Sequence, residues 1–260
     1  MHSDKILIYT ALFGNYDILH EPVIDDDLYC DYICITDRKD INSKKWKIIN
    51  VNNENRNNIE ENRRYKMMPH LFFRDYRYVI YVDANIIIKN SPKELINKYL
   101  KKNPIAFPKH FLRNCIYEEA KFCLGINKIT ENEYNNIINE LLIKDNFPSN
   151  YGLGENNIIL RDLNDKNLNN AMDYWWYIFE HYAKRDQLSL MYVLWKKNVR
   201  YSLMKETSRN KNHYFDYKLH APLLKNNFFK RKLLIISATR NKSIIYKIIA
   251  NLIDLRKKKK

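Results

Sequence analysis

Glycine and proline are scarce in this sequence, at 4 and 7 of 260 residues. So low a content argues against flexible linkers, collagen-like repeats and low-complexity segments. The four cysteines match no C-x-x-C zinc or redox spacing, so we expect reduced, buried thiols at Cys30, Cys34, Cys115 and Cys123. There is also no run of about 20 apolar residues and no signal-peptide pattern, so we expect neither a membrane span nor a leader.

Several well-known catalytic motifs are missing as well. The sequence contains no H-E-x-x-H, no G-x-S-x-G, no P-loop and no G-x-G-x-x-G. These absences disfavour a metalloprotease, a serine hydrolase, an NTPase and a dinucleotide-dependent dehydrogenase. What is present is a hydrophobic content of 45% with 13% aromatic residues. That composition predicts a globular chain with a substantial core.

The formal net charge is +15, and much of the excess lies near the C-terminus. A basic surface suits a nucleic acid, an acidic membrane or a phosphorylated substrate, although a solvated basic surface is an equally good interpretation. No nucleic-acid recognition motif is present, so we expect no nucleic-acid partner. We divide the chain into a main domain, residues 1–225, and a basic C-terminal segment, residues 226–260.

The C-terminal segment ends in SIIYKIIANLIDLRKKKK, which predicts an amphipathic helix. Two interpretations stay open for it. The helix could lie on an anionic membrane surface, or it could pack on the domain as a final helix with a solvated tail. Its apolar stripe comprises Ile244, Ile245, Ile248, Ile249, Leu252 and Ile253.

Strand-like segments alternate with helical ones, and the strands are near-continuous apolar runs. This pattern predicts an α/β fold with a mixed, mostly parallel sheet that helices cover on both faces. Ligands bind such sheets beyond the carboxyl ends of the strands. Because Thr10, Asp37 and Asp83 fall at or near predicted strand ends, they are the first candidates for a site.

The segment YVIYVDANIII places an acid and an amide within an apolar run. On an extended chain Asp83 and Asn85 would point to the same face, where their oxygens could bind Mg²⁺ or Mn²⁺. The alternative is that Asp83 caps a turn and Asn85 satisfies backbone groups. Just upstream, Arg63, Arg64 and Lys66 could hold phosphates or could form a solvated helix face.

Two further segments carry polar groups with two interpretations each. Asp186 could cap a predicted helix or could orient or deprotonate an acceptor hydroxyl. Glu155 follows two glycines that suggest a loop close to a ligand, but it could equally be paired on the surface. Trp175 and Trp176 could stack on a sugar ring, although packing in the core is the stronger expectation.

Six ordered blocks of the sequence together resemble a known family. They run from about Ile6 to about Trp195 and read YTALFGNYD, CITD, RRYKMMPHLFF with DYRYVIYVDANI, AFPKHFLRNCIYEEA, GLGENNIILR and RDQLSLMYVLW. The chain resembles the glycosyltransferase domain-containing family, once described as a domain of unknown function, which includes plant Golgi proteins linked to mucilage and turgor. That family is similar to the family 8 glycosyltransferases. The resemblance implies their GT-A nucleotide-sugar-binding fold.

The resemblance also implies a donor site. Asp83, Ala84 and Asn85 stand at the Asp-x-Asp position that holds a Mn²⁺ or Mg²⁺ ion and the donor diphosphate, with Asn85 in place of the second acid. His213, with His220 as the second choice, is the implied C-terminal metal ligand. Contacts with a nucleotide-sugar, UDP-linked by this resemblance, are implied for Thr10, Ala11, Phe13, Tyr16, Asp37, Arg64 and Lys66.

Asp186 and Gln187 are similar to an Asp-Gln pair beside the transferred sugar, so they are the candidate catalytic residues. The candidate acceptor contacts are His110, Arg113, Glu118 and Glu155, and a helix start with local ion pairs is the alternative for the first three. We therefore expect a cytoplasmic hexosyltransferase at the inner face of the membrane. It would move a sugar, with retention of configuration, to a hydroxyl of a glycan or lipid-linked acceptor in surface polysaccharide synthesis.

Two alternatives come from other classes of protein. The first is a non-catalytic module that binds acidic glycans or membranes through its basic face. The second is a lipid hydrolase of the ceramidase kind, which would need a metal site richer in histidine than this sequence suggests.

Overall fold

The computed structural model describes residues 5–24, 27–52 and 56–258. Its strands are β1 (Ile6–Leu12), β2 (Cys30–Thr36), β3 (Lys47–Asn50), β4 (Tyr78–Val82), β5 (Ile86–Ile88), β6 (Ile105–Pro108), β7 (Ile158–Asp162), β8 (Tyr201–Met204) and β9 (Phe215–Tyr217). Its α-helices are α1 (Asn58–Met67), α2 (Pro69–Phe72), α3 (Lys93–Tyr99), α4 (Ile116–Gly125), α5 (Glu131–Ile137), α6 (Lys166–His181), α7 (Leu190–Lys196), α8 (Phe228–Ala238) and α9 (Ile244–Lys258).

Seven strands form the main sheet in the order β3-β2-β1-β4-β7-β6-β8, and β5 pairs with β9 in a small second sheet. Neighbours in the main sheet are parallel except on either side of β7, which runs antiparallel to both β4 and β6. The expected α/β fold with a mixed, mostly parallel sheet is therefore confirmed.

Apolar side chains cover both faces of the sheet, as strand β1 shows. Every residue of its ILIYTAL segment is buried. Leu7, Tyr9 and Ala11 lie in the core that includes residues of α1, α4 and α6, whereas Ile6 and Ile8 lie in the core beneath α3 and β5. A strand buried on both faces has no polar alternation, which explains the continuous apolar run in the sequence.

Helix α1 brings two cations to the carboxyl end of the sheet. Asn57 caps its first turn by accepting hydrogen bonds from the backbone N–H groups of Ile59 and Glu60, at 3.0 and 2.9 Å. The helix ends at Met67, and Pro69 begins α2. Residues three apart on a helix share a face, so Arg63 and Lys66 project together toward the strand ends.

The C-terminal helices α8 and α9 contact each other and reach the rest of the chain through a few polar links. The Arg209 guanidinium donates to the carbonyl of Ala238 at 3.1 Å, and Lys242 pairs with Asp216. The predicted terminal helix is present, and the domain boundary at residue 225 stays a prediction. None of the helices in residues 5–24, 27–52 and 56–258 has the length and apolar character that crossing a membrane requires. All four cysteines are buried and free, as predicted.

Candidate active site

The stretch from Asp83 to Asn85 is a turn and not a continuation of the strand. β4 ends at Val82, and the N–H of Ile86 then donates to the carbonyl of Asp83 at 3.0 Å. β5, which follows, belongs to the second sheet. The extended geometry that we expected from the sequence is therefore wrong. Asp83 interrupts the apolar run because the chain leaves one sheet here and enters another.

Four charged side chains meet at this turn. The Lys66 ammonium lies 2.7 Å from Oδ2 of Asp186 and 3.7 Å from Oδ1 of Asp83. The guanidinium of Arg63 lies 3.2 Å from the other carboxylate oxygen of Asp186. The Tyr81 hydroxyl donates to Oδ1 of Asp83 at 2.8 Å. We call Arg63, Lys66, Asp83 and Asp186 the charged cluster.

Burial differs sharply within the charged cluster. The side chains of Lys66 and Asp186 are 3% and 6% exposed, whereas that of Asp83 is 29% exposed. Burial alone would raise the pKa of Asp186, but the positive charges of Arg63, Lys66 and Arg185 outweigh it and hold that pKa well below its usual value. Burial, followed by the charge of Asp83, raises the pKa of Tyr81 well above its usual value. Asp83, together with Arg63 at 24% exposure, is therefore open to a ligand from solution, whereas Lys66 and Asp186 lie behind them.

The structure selects between the two arginines of α1. Arg64, the expected phosphate contact, lies away from the charged cluster: it pairs with Glu61 at 3.1 Å and lies over the Phe72 ring. Arg63 occupies the place beside Asp186 instead. Helical spacing explains the difference, because positions 63 and 66 share a face and position 64 is turned about 100° from position 63.

Asn85 lies beside His220, and both side chains are held in place. The amide Nδ2 of Asn85 donates to the carbonyl of Lys218 at 2.8 Å and lies 3.5 Å from Nε2 of His220. Nδ1 of His220 is 2.6 Å from a carboxylate oxygen of Asp17. A histidine held at one ring nitrogen by a carboxylate presents its other nitrogen, which is the usual arrangement around a metal ligand.

His213, our first choice for a metal ligand, lies elsewhere. The side-chain amide of Asn90 donates to the His213 carbonyl, and the backbone N–H of Lys89 donates to the Tyr214 carbonyl. Both bonds lie beyond the end of β5 that is farther from Asn85. The antiparallel register joins Ile86 to Tyr217 and Ile88 to Phe215. That register brings His220, and not His213, to the turn.

Asp83, Asn85 and His220 offer a carboxylate, an amide oxygen and an imidazole nitrogen, which is a donor set compatible with Mn²⁺. In the part of the chain that the structure describes, no three or more His, Cys, Asp or Glu side chains are grouped to hold a metal ion. This donor set contains one carboxylate, that of Asp83, so metal binding at this turn would depend on further oxygens from a ligand. The Asp17 contact suits such a site because it fixes the orientation of the imidazole.

The expected nucleotide contacts from the first two strands divide into two groups. Thr10, Ala11 and Phe13 are all buried, and the Thr10 hydroxyl has no hydrogen-bond partner among the residues that the structure describes. Phe13 stacks on Tyr65, with ring centroids 5.8 Å apart. Tyr16 is 63% exposed, and its ring lies 5.3 Å from that of His220.

Asp37 follows β2 and holds the loop after β1. Its carboxylate accepts a hydrogen bond from the N–H of Gly14 at 2.9 Å. Gly14 has a φ of 60°, a conformation that favours glycine. Tyr16 is thus exposed and Asp37 half-exposed at the carboxyl ends of strands, where a nucleotide could reach them. The other three side chains, those of Thr10, Ala11 and Phe13, could not be reached without movement.

Gln187 and Glu155 meet through one loop. Nε2 of Gln187 donates to the carbonyl of Gly154 at 3.1 Å, next to Glu155 in the chain. Glu155 is buried and pairs with Arg209, and it accepts from the Thr207 hydroxyl at 2.8 Å. The surface pairing considered for Glu155 is therefore wrong, because this ion pair is internal.

The other acceptor candidates make local contacts. Nδ1 of His110 accepts from the backbone N–H of Arg113 at 3.0 Å, and burial lowers the His110 pKa to about 4. Arg113 pairs with Glu119, whereas Glu118 is exposed on α4. These contacts agree with the alternative of local pairing around a helix start, and the acceptor roles stay predictions.

The two tryptophans of α6, Trp175 and Trp176, are buried in the core at 0% and 9% exposure, so they pack in the core as expected and do not offer a ring face to a sugar. The Trp175 indole N–H lies 3.2 Å from the carbonyl of Asp186 and 3.1 Å from the hydroxyl of Ser189. Asp186 therefore does not serve as a simple helix cap. Its backbone is fixed by Trp175 and its carboxylate by the charged cluster.

The sheet order, the antiparallel β7 and the polar turn after β4 define a GT-A-type α/β domain. The bifunctional glycosyltransferase WbbM has this fold in its apo structure, with a TM-score of 0.52 at 14% identity over 92% of this chain. This chain spans 45% of that WbbM chain. The galactosyltransferase LgtC, solved with donor and acceptor sugar analogues, matches with a TM-score of 0.46 at 11% identity, over 79% of this chain and 74% of its own.

The sequence profile of the TOD1/MUCI70 glycosyltransferase-like domain matches residues 33–215. That match covers more than half of the chain, so the chain belongs to the TOD1/MUCI70 glycosyltransferase-like domain family. A comparison with curated protein sequences finds no match. The resemblance that we drew from the six sequence blocks is confirmed at the level of the family and the fold.

Proposed function

We propose that the protein transfers a sugar from a nucleoside diphosphate sugar, a UDP-sugar by family resemblance, to an acceptor hydroxyl. The observation that carries this proposal is the charged cluster beside Asn85 and His220 at the carboxyl end of β4. A buried lysine, a partly exposed arginine and a candidate metal site meet at the edge where α/β sheets bind ligands, and they provide the positive groups that a diphosphate requires.

The charge balance of the cluster supports a metal-dependent donor site. Arg63 and Lys66 are offset by Asp83 and Asp186, so even with the charge of the neighbouring Arg185 these groups carry too little positive charge to balance a diphosphate. A divalent cation held by Asp83, Asn85 and His220 would provide that charge and would stabilise the leaving diphosphate. Mn²⁺ suits this mixed oxygen and nitrogen set better than Mg²⁺, which prefers oxygen ligands alone.

The residues of the chain would then have distinct roles. Asp186 is ionised and paired through both oxygens, so it is a weak base. We assign to it the placement of Lys66 and Arg63, which in turn face the donor phosphates. Gln187 lies beside the Gly154 carbonyl and contacts the transferred sugar in this scheme. Retention of configuration is part of the proposal and follows from the resemblance to family 8.

The acceptor side is proposed more broadly. A hydroxyl of a glycan or of a lipid-linked sugar would approach from the side of His110, Arg113, Glu118 and Glu155. A cytoplasmic place in surface polysaccharide synthesis completes the proposal. The ceramidase-like alternative is less well supported, because His220 is the single imidazole at the candidate metal site within residues 5–24, 27–52 and 56–258.

The proposal is tested by calorimetric titration of the protein with UDP, UDP-sugars and GDP-sugars, each with and without Mn²⁺. We expect a UDP nucleotide to bind in the presence of Mn²⁺ and at least tenfold more weakly without it. Asp83→Ala should remove the metal-dependent part, and Asp40→Ala, at an exposed acid paired with Arg38, is the matched control. If no nucleotide binds under either condition, the donor site does not exist and the non-catalytic module becomes the better interpretation.

A further inference from the structure

The two C-terminal helices leave a large apolar surface open to solvent. Seven of their large apolar side chains are each more than half exposed, and we call them the apolar face: Phe228, Phe229, Ile244, Ile245, Ile248, Leu252 and Leu255. Exposed apolar residues scattered singly are ordinary on soluble proteins, but a set concentrated on two neighbouring helices marks a contact surface.

Helix α9 shows that this exposure is one-sided. Ala250 is fully buried and Ile249 is half-buried, so one side of the helix packs on the chain. Ile244, Ile248 and Leu252 recur at intervals of four residues, which places them on the other side. The helix therefore both packs on α8 and presents a second apolar stripe outward.

The charge around the apolar face limits what can cover it. Residues 226–260 contain eleven lysines and arginines and one acid, Asp254, so they carry +10 of the chain's formal +15. Exposed lysines, Lys230 and Lys232 on α8 and Lys247 on α9, lie on the same helices as the apolar face. So much like charge disfavours a second copy of this chain as the occupant, and it favours an anionic surface that accepts apolar side chains.

We propose that the apolar face of α8 and α9 docks in the interfacial region of an anionic lipid bilayer, with the helices lying along the membrane surface. Amphipathic helices with this combination of apolar and basic residues bind in that way. The lysines contact the lipid headgroups, and the phenylalanines and isoleucines enter the boundary with the acyl chains.

A chain of contacts joins this surface to the candidate site. Arg209 pairs with the buried Glu155 and also donates to the carbonyl of Ala238, the last residue of α8. Its guanidinium lies over the Phe111 and Tyr217 rings, at 4.6 and 4.9 Å. The docked helices would thus hold the Glu155 loop at a fixed place relative to the membrane. If the proposed transferase function is correct, the acceptor is a lipid-linked one presented at that surface.

Flotation with vesicles tests the docking. The full chain, without nucleotide, is mixed with vesicles of phosphatidylcholine alone or with 30% phosphatidylglycerol, a composition chosen for about the charge of an anionic membrane. We expect binding to the anionic vesicles and little to the neutral ones. Replacing Lys230, Arg231 and Lys232 together by Gln should weaken binding on the order of 100-fold, since each charge near the surface contributes about fivefold.

The apolar contribution is tested with Ile245→Ser, Ile248→Ser and Leu252→Ser combined, which should also weaken binding by more than tenfold. Matched controls are Leu28→Ser with Ile143→Ser, at exposed apolar positions elsewhere, and Lys101→Gln with Lys102→Gln. The controls should bind as the unaltered chain does. Circular dichroism confirms that each variant is folded.

Three outcomes would overturn the proposal: no flotation of the unaltered chain, equal flotation with neutral vesicles, or unchanged binding in both sets of variants. A dimer in sedimentation velocity that the Ser variants abolish, without vesicle binding, would assign the face to a second copy. Nucleotide titration of the same variants separates this proposal from the donor site. A variant that loses vesicle binding but still binds nucleotide has a defect in the docking helices alone. A variant that binds vesicles but no longer binds nucleotide has a defect in the donor site alone.

Discussion

Asp186→Asn should destabilise the fold strongly, because Asp186 is a buried carboxylate shared by the buried Lys66 and the partly exposed Arg63. Its oxygens lie 2.7 Å from the Lys66 ammonium and 3.2 Å from the Arg63 guanidinium. One such pair at 2.7 Å attracts by roughly 6 kcal/mol at an effective dielectric constant of about 20. Since the change leaves the buried Lys66 ammonium with only the more distant Asp83 carboxylate at 3.7 Å, we expect a loss of about 3–5 kcal/mol in the free energy of unfolding.

The assay is urea denaturation followed by tryptophan fluorescence, together with a thermal melt. A loss of about 3 kcal/mol corresponds to a Tm lower by roughly 6 °C for a chain of this size. Adding Lys66→Met to Asp186→Asn should cost less than the sum of the two single changes, because the two side chains are coupled. Asp40→Asn, at an exposed pair, should leave the Tm unchanged. A shift below about 1 °C for Asp186→Asn would refute the burial and pairing that we describe.

Two further predictions concern the fold around the site. Gly154→Ala should cost about 1–3 kcal/mol in the free energy of unfolding, because the new Cβ would lie 2.6 Å from the Phe107 ring. Gly125→Ala is the control, since no described neighbour lies within 4 Å of its new Cβ, and it should be neutral or stabilise by about 0.5 kcal/mol. Equal effects of the two substitutions in urea denaturation would contradict this prediction. His110 has a pKa of about 4 in the fold, below that of the unfolded chain. The free energy of unfolding that depends on neutral His110 is therefore fully present above pH 6.5, and up to about 3 kcal/mol of it is lost as the pH falls toward 4. His110→Asn keeps a side-chain acceptor for the Arg113 N–H and should make the free energy of unfolding less dependent on pH between pH 6.5 and pH 4. An unchanged slope would mean that folding does not lower the pKa of His110.

Much of the architecture could be predicted because it depends on local patterns. Continuous apolar runs identified β1, β2 and β4, and Pro69 marked the end of α1. The acid after β4 pointed to the functional edge of the sheet. The same reasoning could have preferred Arg63 to Arg64, since the spacing of three residues to Lys66 was visible in the sequence.

Other features depend on contacts between distant segments, which the sequence does not reveal. His220 comes to Asn85 only through the antiparallel register of β5 with β9, and Asp17 comes to His220 from a loop 203 residues away. Arg209, the partner of Glu155, is likewise 54 residues distant. The turn at Asp83 was only the alternative interpretation, because apolar residues continue on both sides of it, although they belong to two different sheets.

A crystal structure of the protein soaked with UDP and Mn²⁺ tests the central claim most directly, because the anomalous signal of manganese locates the metal without assumptions. We expect one manganese peak beside Asp83, Asn85 and His220, with the diphosphate between that ion and the Lys66 side of the charged cluster. Nucleotide density at another surface, or a manganese peak away from these three side chains while UDP is bound, would contradict it.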